Sequence, residues 1–254
     1  MIRTLLDKEL QALDAQIMRL GALAEQALAK ALEALETSNL DESGNVIVAD
    51  AVIDDLRTAI EEHALRVLIL QQPLGRRDMR YLTSLLSIII DLERMGDEAE
   101  GIAQNVLRMM PFRSNSMQST PGQSTSFAPG EGDNQSSDFV DLQRILNVGH
   151  EVRDLLRQTM TAFATRDAQT ARSLWEKDPV VRQHCYSVRQ DLMTLLEGDH
   201  AIPAVRNDPH MLQRATYLLW IALKLERAAD HCANICERIV FIVEGEMEMQ
   251  LPLD

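Results

Sequence analysis

Apolar residues recur along the first third of the chain with the spacing of one helix face. Between residues 6 and 35 they fall at alternating steps of three and four, which is typical of a helix that buries a single stripe. Residues 37–44 collect turn and capping types, and the periodicity resumes at 53–67. A third periodic segment covers 78–110 and stops at Pro111, because proline removes a helical hydrogen bond. The pattern predicts three antiparallel helices.

A polar segment separates this pattern from a second one. Residues 112–137 are dominated by Ser, Thr, Gly, Pro, Asn and Gln, and such a composition buries too little apolar surface to offset the entropy of ordering. Helical periodicity then returns at 138–166, 169–197 and 208–244. The sequence therefore predicts an all-α protein of two tandem antiparallel three-helix bundles, at residues 1–111 and 138–254, joined by a flexible linker at 112–137.

The third helices of the two halves carry the same residues at the same offsets. Leu92-Glu93-Arg94 is followed by Asp97 and Ile102, and Leu225-Glu226-Arg227 is followed by Asp230 and Ile235. Chance would supply a repeated Leu-Glu-Arg triplet more easily than it would supply the two further matches. The chain is therefore interpreted as an internal duplication.

Composition and charge narrow the class of protein. Hydrophobic residues make up 46% of the chain and aromatic residues only 4%, which favours long helices. The formal net charge is -14, so the nucleic acid backbone would be repelled and nucleic acid is not an expected partner. The apolar run at 85–90 is far shorter than the roughly 20 residues that span a bilayer, and the first residues lack the pattern of a signal peptide. We expect a soluble cytoplasmic protein.

Three cysteines, an odd number, imply no disulfide framework. Cys232 and Cys236 lie four residues apart on a predicted helix, next to His231. These residues are either soft metal ligands or small side chains of the core, and the high burial of free cysteine favours the core.

Acidic residues continue the apolar stripe of each predicted third helix. The stripe through residues 82–89 leads to Glu93, Asp97 and Glu100, and the stripe through residues 212–222 leads to Glu226 and Asp230. We therefore expect these acids to face the interior of each bundle. Two acids at this spacing repel each other, and burial would raise their pKa values unless a positive charge is near.

Three interpretations of these acids stay open on spacing alone. They belong to a solvated helix face, or they form internal salt bridges with Arg94 and Arg227, or they bind a metal. A salt bridge is the simplest explanation for each acid pair taken alone. The metal interpretation adds Asp50 and Asp54, four apart on the second helix and flanking its apolar stripe, because two acid pairs on neighbouring helices make an oxygen-rich pocket. Such a pocket suits iron, manganese, zinc or magnesium.

The repeated motif resembles the signature of the PhoU family, regulators of bacterial phosphate uptake and signalling. The resemblance is carried by Leu92-Glu93-Arg94-Met95-Gly96-Asp97, by Leu225-Glu226-Arg227-Ala228-Ala229-Asp230-His231 with its continuation to Ile235, by Gln71-Gln72-Pro73 with Asp78-Met79-Arg80, and by Val243-Glu244-Gly245. It covers nearly the whole chain. It implies two three-helix bundles, no enzymatic activity, and metal clusters held by acid pairs on the second and third helices of each repeat.

Carried onto this sequence, the family pattern names seven metal ligands. They are Asp50, Asp54, Glu93 and Asp97 in the first half, and Asp178, Glu226 and Asp230 in the second. The second half departs from the pattern, because Arg182 stands four residues after Asp178, where the family places an acid. A guanidinium cannot ligate a metal and would neutralise Glu226 or Asp230 instead. The first half is thus the better candidate for metal.

The resemblance also implies a function and partners. It implies a non-enzymatic negative regulator of phosphate uptake and starvation signalling, a homodimer that contacts the ATPase subunit of the phosphate transporter and a membrane sensor histidine kinase, and reaches the membrane only through them. One alternative is a ferritin-like di-metal protein, which requires Glu-x-x-His on two helices, whereas only Glu197-Gly198-Asp199-His200 fits that spacing. The other is a structural helical scaffold.

Overall fold

The structure is a computed structural model that describes residues 2–71, 73–112, 136–196 and 210–245, and these residues form six long helices. The helices are α1 (Ile2–Thr37), α2 (Leu40–Leu70), α3 (Arg76–Met109), α4 (Ser136–Thr165), α5 (Ala168–Leu196) and α6 (Met211–Glu244). A short 3-10 turn, Met110–Phe112, follows α3. No strand occurs within these ranges, so the predicted all-α class with two three-helix units is confirmed.

The turns that join the first two helices of each unit share one design. Ser38 and Arg166 both adopt positive φ, at 61° and 55°, and so reverse the chain after α1 and α4. The next residue caps the following helix, since Asn39 accepts a hydrogen bond from the backbone of Glu42 and Asp167 accepts one from Thr170. The predicted turn over residues 37–44 is therefore too long, because capping at Asn39 lets α2 begin at Leu40.

One continuous hydrophobic core runs through both units. Within each unit the three helices pack on one another, and the units meet through α3 against α6 and α1 against α4. Fully buried residues such as Leu92 on α3 and Leu225 on α6 lie at the centre. The third helix of each repeat therefore contacts both its own unit and the other unit.

The predicted domain bounds at 1–111, 112–137 and 138–254 stay predictions, since most of the linker lies outside the described residues. Within the described ranges, no helix has the combination of length and hydropathy that a membrane crossing requires.

Candidate functional site

Four acidic side chains of the first unit lie where α2 faces α3. Asp50 and Asp54 project from α2 one helical turn apart, and Glu93 and Asp97 do the same from α3. One carboxylate oxygen from each of Asp50, Asp54 and Asp97 lies within 4.8 Å of the other two. The helix pairing predicted for these residues therefore brings three of them together, with Glu93 beside them.

The expectation that the acids face the interior is wrong. None of the five acids concerned is buried: Asp97 is exposed, and the others, Glu93, Glu100, Glu226 and Asp230, are half-buried. On α2, Asp54 is exposed and Asp50 half-buried, so the cluster lies on the surface along the seam between the two helices. The buried face of α3 instead runs through Leu85, Leu92 and Ala99. Because α3 contacts α1, α2 and α6, its buried face is too wide to be followed by a single stripe, and the acids occupy its edge.

The cluster lacks enough positive charge to balance it. Burial and the neighbouring carboxylates raise the pKa of Asp50 to about 7. Burial, followed by the charge of Asp97, raises the pKa of Glu93, although Arg57 and Arg94 oppose the rise. Burial and Asp54 likewise raise the pKa of Asp97, against the opposing charge of Lys224. The nearby arginine and lysine side chains therefore do not fully neutralise these acids.

A buried oxygen of Asp50 shows how a cation would fit. Its Oδ1 is closed off from solvent and has no hydrogen-bond donor. It also lies against the backbone of Gly96, where an added Cβ would come within 2.9 Å of it. Hard cations take carboxylate oxygens as ligands, so a metal ion would supply the partner that the protein does not. The donor set therefore fits the metals that the sequence predicts.

The corresponding surface of the second unit holds arginines instead. Arg189 on α5 pairs with Glu226 at 2.5 Å, and the Nε of Arg182 lies 3.5 Å from Oδ1 of Asp230. The contact of Arg182 is the one that the sequence predicts. Sequence reasoning missed Arg189, although it stands seven residues after Arg182 and so on the same helix face. The side chain of Asp178 lies outside the described residues.

Other predicted residues have different partners from those expected. Arg227 does not pair with Glu226 or Asp230; its Nε lies 3.3 Å from Oε1 of Glu98, on the opposite unit. Cys232 and Cys236 are fully buried, in line with the core interpretation.

The stretch from Glu197 to His200, the one match to the ferritin-like spacing, lies outside the described residues.

The fold and site define a class: a duplicated three-helix protein with acid pairs on the second and third helices of its first repeat. The family model of the PhoU domain matches residues 17–106 and 145–239. The chain belongs to the PhoU family. The starts of the two matched stretches are 128 positions apart and their ends 133 apart. The same offsets relate the positive-φ residues Ser38 and Arg166, and the motifs that begin at Leu92 and Leu225, and they define the equivalent residues of the two repeats.

Relatives cover nearly the full chain. A phosphate-specific transport system accessory protein PhoU homolog of Clostridium acetobutylicum is 25% identical over 97% of this chain and 97% of its own, and one of Streptococcus pneumoniae is 30% identical over 97% and 98%. The crystal structure of the phosphate transport system regulatory protein PhoU from Streptococcus pneumoniae superposes with a TM-score of 0.73 at 28% identity, covering 95% of this chain and 98% of that one. PhoU from Pseudomonas aeruginosa gives 0.75 at 25% identity, with 94% and 99% covered.

Proposed function

We propose that this protein is an accessory regulator of phosphate-specific transport that restrains phosphate uptake and the phosphate-starvation response when phosphate is plentiful. The observation that supports the proposal is family membership through both repeats, with similarity along almost the full length of relatives named phosphate-specific transport system accessory proteins. The protein acts in the cytoplasm as a homodimer, through contacts with other proteins and without catalysis.

The proposed partners are the ATPase subunit of the phosphate transporter and a membrane sensor histidine kinase. The net charge of -14 supports docking on proteins over docking on nucleic acid, because the phosphate backbone would be repelled. The partners themselves come from the family resemblance.

A deletion strain carrying a phosphatase reporter tests the regulatory proposal. Grown in high phosphate, the strain is expected to express the reporter, and the wild-type gene supplied in trans is expected to silence it. Continued repression in the deletion strain would overturn the regulatory role. A binding assay between the purified protein and the ATPase subunit then tests the contact separately.

We infer further that the cluster of Asp50, Asp54 and Asp97, with Glu93, binds one divalent or trivalent metal ion, of iron, manganese, zinc or magnesium. The support is the short mutual distance of three carboxylates, the raised pKa values of Asp50 and Asp97, and the orphaned Oδ1 of Asp50. A bound ion would offset the mutual repulsion of the acids. We do not extend the inference to the second repeat, where Arg182 and Arg189 neutralise the acids.

Metal analysis of protein purified without chelator tests this inference. The double variant Glu93→Ala/Asp97→Ala is expected to lose its metal, with a fall in affinity of about 100-fold or more, because two ligands on one helix are removed. The matched variant Glu226→Ala/Asp230→Ala is expected to retain wild-type metal content. Unchanged metal in the first variant would end the metal proposal, while the reporter would still decide the regulatory one.

A further inference from the structure

The two repeats pack on each other through contacts that recur when the repeats are exchanged. Gly21 on α1 corresponds to Gly149 on α4, and Leu32 corresponds to Met160, at the offset of 128. Gly21 lies against Met160, where an added Cβ would be 2.6 Å from the methionine Cε. Gly149 lies against Leu32, where the same distance to Cδ2 would be 2.4 Å. The repeats are thus related by an approximate two-fold axis.

The contact between α3 and α6 obeys the same symmetry. Asp91 corresponds to Lys224, and Glu98 corresponds to His231, at the offset of 133. Nδ1 of His231 lies 2.9 Å from Oδ1 of Asp91, and Nζ of Lys224 lies 2.8 Å from Oε2 of Glu98. Two symmetry-related pairs are therefore each made of an acid from the first repeat and a basic residue from the second.

A third pair lies on the axis itself. Glu25 on α1 pairs with Arg153 on α4 at 2.5 Å, and the two residues occupy corresponding positions in the repeats. A residue on a two-fold axis meets its own equivalent. Two identical repeats would therefore place glutamate against glutamate or arginine against arginine at this point.

If two first repeats, or two second repeats, packed on each other in this register, all three ion pairs would be replaced by contacts between residues of like charge. Two copies of the first repeat in this register would oppose Glu25 to itself and Asp91 to Glu98, so that acid would meet acid in all three pairs. The one cation brought near Glu98 would be Arg94, the equivalent of the Arg227 that contacts Glu98 here. Two copies of the second repeat would oppose Arg153 to itself and Lys224 to His231, with no carboxylate to pair them. Only the unlike arrangement gives each acid a basic partner.

We propose that these three pairs make the inter-repeat surface, formed by α1 and α3 of the first repeat and α4 and α6 of the second, selective for an unlike repeat. The surface of the first repeat recognises a second-repeat surface, and pairing of like repeats between two chains is disfavoured. The burial of Glu98, whose side chain is 4% exposed, strengthens the discrimination, because water would screen little of the repulsion from an Asp91 carboxylate placed in the position of Lys224.

Exchanging each residue for its equivalent tests the proposal in the full chain. A first half-exchanged variant carries Glu25→Arg, Asp91→Lys and Glu98→His, and a second carries Arg153→Glu, Lys224→Asp and His231→Glu. Each variant is expected to lose hydrogen-exchange protection along α3 and α6, and to melt about 10 °C below the wild type, since all three pairs become unfavourable. The fully exchanged chain, with all six changes, is expected to regain most of the hydrogen-exchange protection and most of the melting temperature.

The fully exchanged chain decides the proposal even if a half-exchanged chain fails to fold. Lys30→Glu is the matched control, because it breaks the pair with Glu42 inside the first repeat and leaves the inter-repeat surface intact. The control is expected to keep protection along α6. Wild-type protection in both half-exchanged chains, or no recovery on full exchange, would overturn the proposal.

Discussion

The surface between α2 and α3 and the surface between α5 and α6 occupy equivalent places in the two repeats and have opposite charge balance. In the first, three carboxylates converge and the pKa of Asp50 is raised to about 7. In the second, Arg182 stands in place of Asp54 and Arg189 in place of Glu61, and both contact acids of α6. Two differences on one helix face thus separate a surface of mutually repelling carboxylates from one whose acids are paired with arginines.

The difference matters for how each repeat responds to its surroundings. The clustered carboxylates of the first repeat repel one another in the folded state, so binding of protons or metal ions there would stabilise the fold. The second repeat draws its counter-charges from its own sequence and needs neither. On the proposed metal binding, one repeat would respond to cations and the other would not.

Restoring acids to the second repeat should erase this contrast, with the largest effect on stability. The variant Arg182→Asp/Arg189→Glu is expected to lower the unfolding free energy by about 2 kcal/mol without metal, because Glu226 and Asp230 would face like charge. It should also gain a second equivalent of bound metal, measured by titration and metal analysis. Arg157→Glu on an exposed pair is the control, with an expected change below about 0.5 kcal/mol. Unaltered stability would show that the arginines contribute nothing.

Removing one negative charge should stabilise the first repeat and destabilise the second. Below about pH 7 the native protein keeps a proton on Asp50 that the unfolded chain has already released above about pH 4, so this group makes stability fall as pH rises through that window. Asp50→Asn removes this charge and is therefore expected to stabilise metal-free protein at pH 8. The expected gain is only about 1 kcal/mol, because solvent screens part of the repulsion between the carboxylates.

The same measurement on the second repeat supplies the comparison. Glu226→Gln removes the partner of Arg189 and is expected to destabilise at pH 8, by denaturant unfolding in the presence of a chelator. If both variants shift stability in the same direction, the proposed difference in charge balance is incorrect.

Substituting Gly96 tests the comparison between the two repeats and is expected to change stability the least. Gly96 lies against Asp50 and Ile53, whereas its equivalent in the second repeat is the buried Ala229. Gly96→Ala is expected to change stability by less than about 1 kcal/mol, since gained helix propensity offsets the crowding. It should nevertheless lower metal affinity about 10-fold, because the Cβ displaces the carboxylate of Asp50. Ala229→Gly, the reverse change, should leave metal content unaltered.

The periodic pattern was enough to predict the helices, and the repeated Leu-Glu-Arg motif was enough to predict the duplication. The four-residue spacing within each acid pair predicted that Asp50 shares a helix face with Asp54 and that Glu93 shares one with Asp97, whatever the rest of the fold. The family resemblance brought the two pairs together. Arg182 likewise predicted an ion pair with an acid of the third helix, which its contact with Asp230 confirms, since a guanidinium is always positively charged.

Tertiary packing decided the rest. Local spacing does not reveal which neighbours surround a helix, and the contacts of α3 with both units moved its acids from the expected interior to a surface seam. Packing likewise took Arg227 to Glu98, and paired Glu25 with Arg153 across 128 positions of sequence. The sequence by itself determined the helices, their duplication and the acid pairs, because these depend on interactions within a few residues. Only the folded structure determined burial and ion-pair partners, because these depend on contacts between distant parts of the chain.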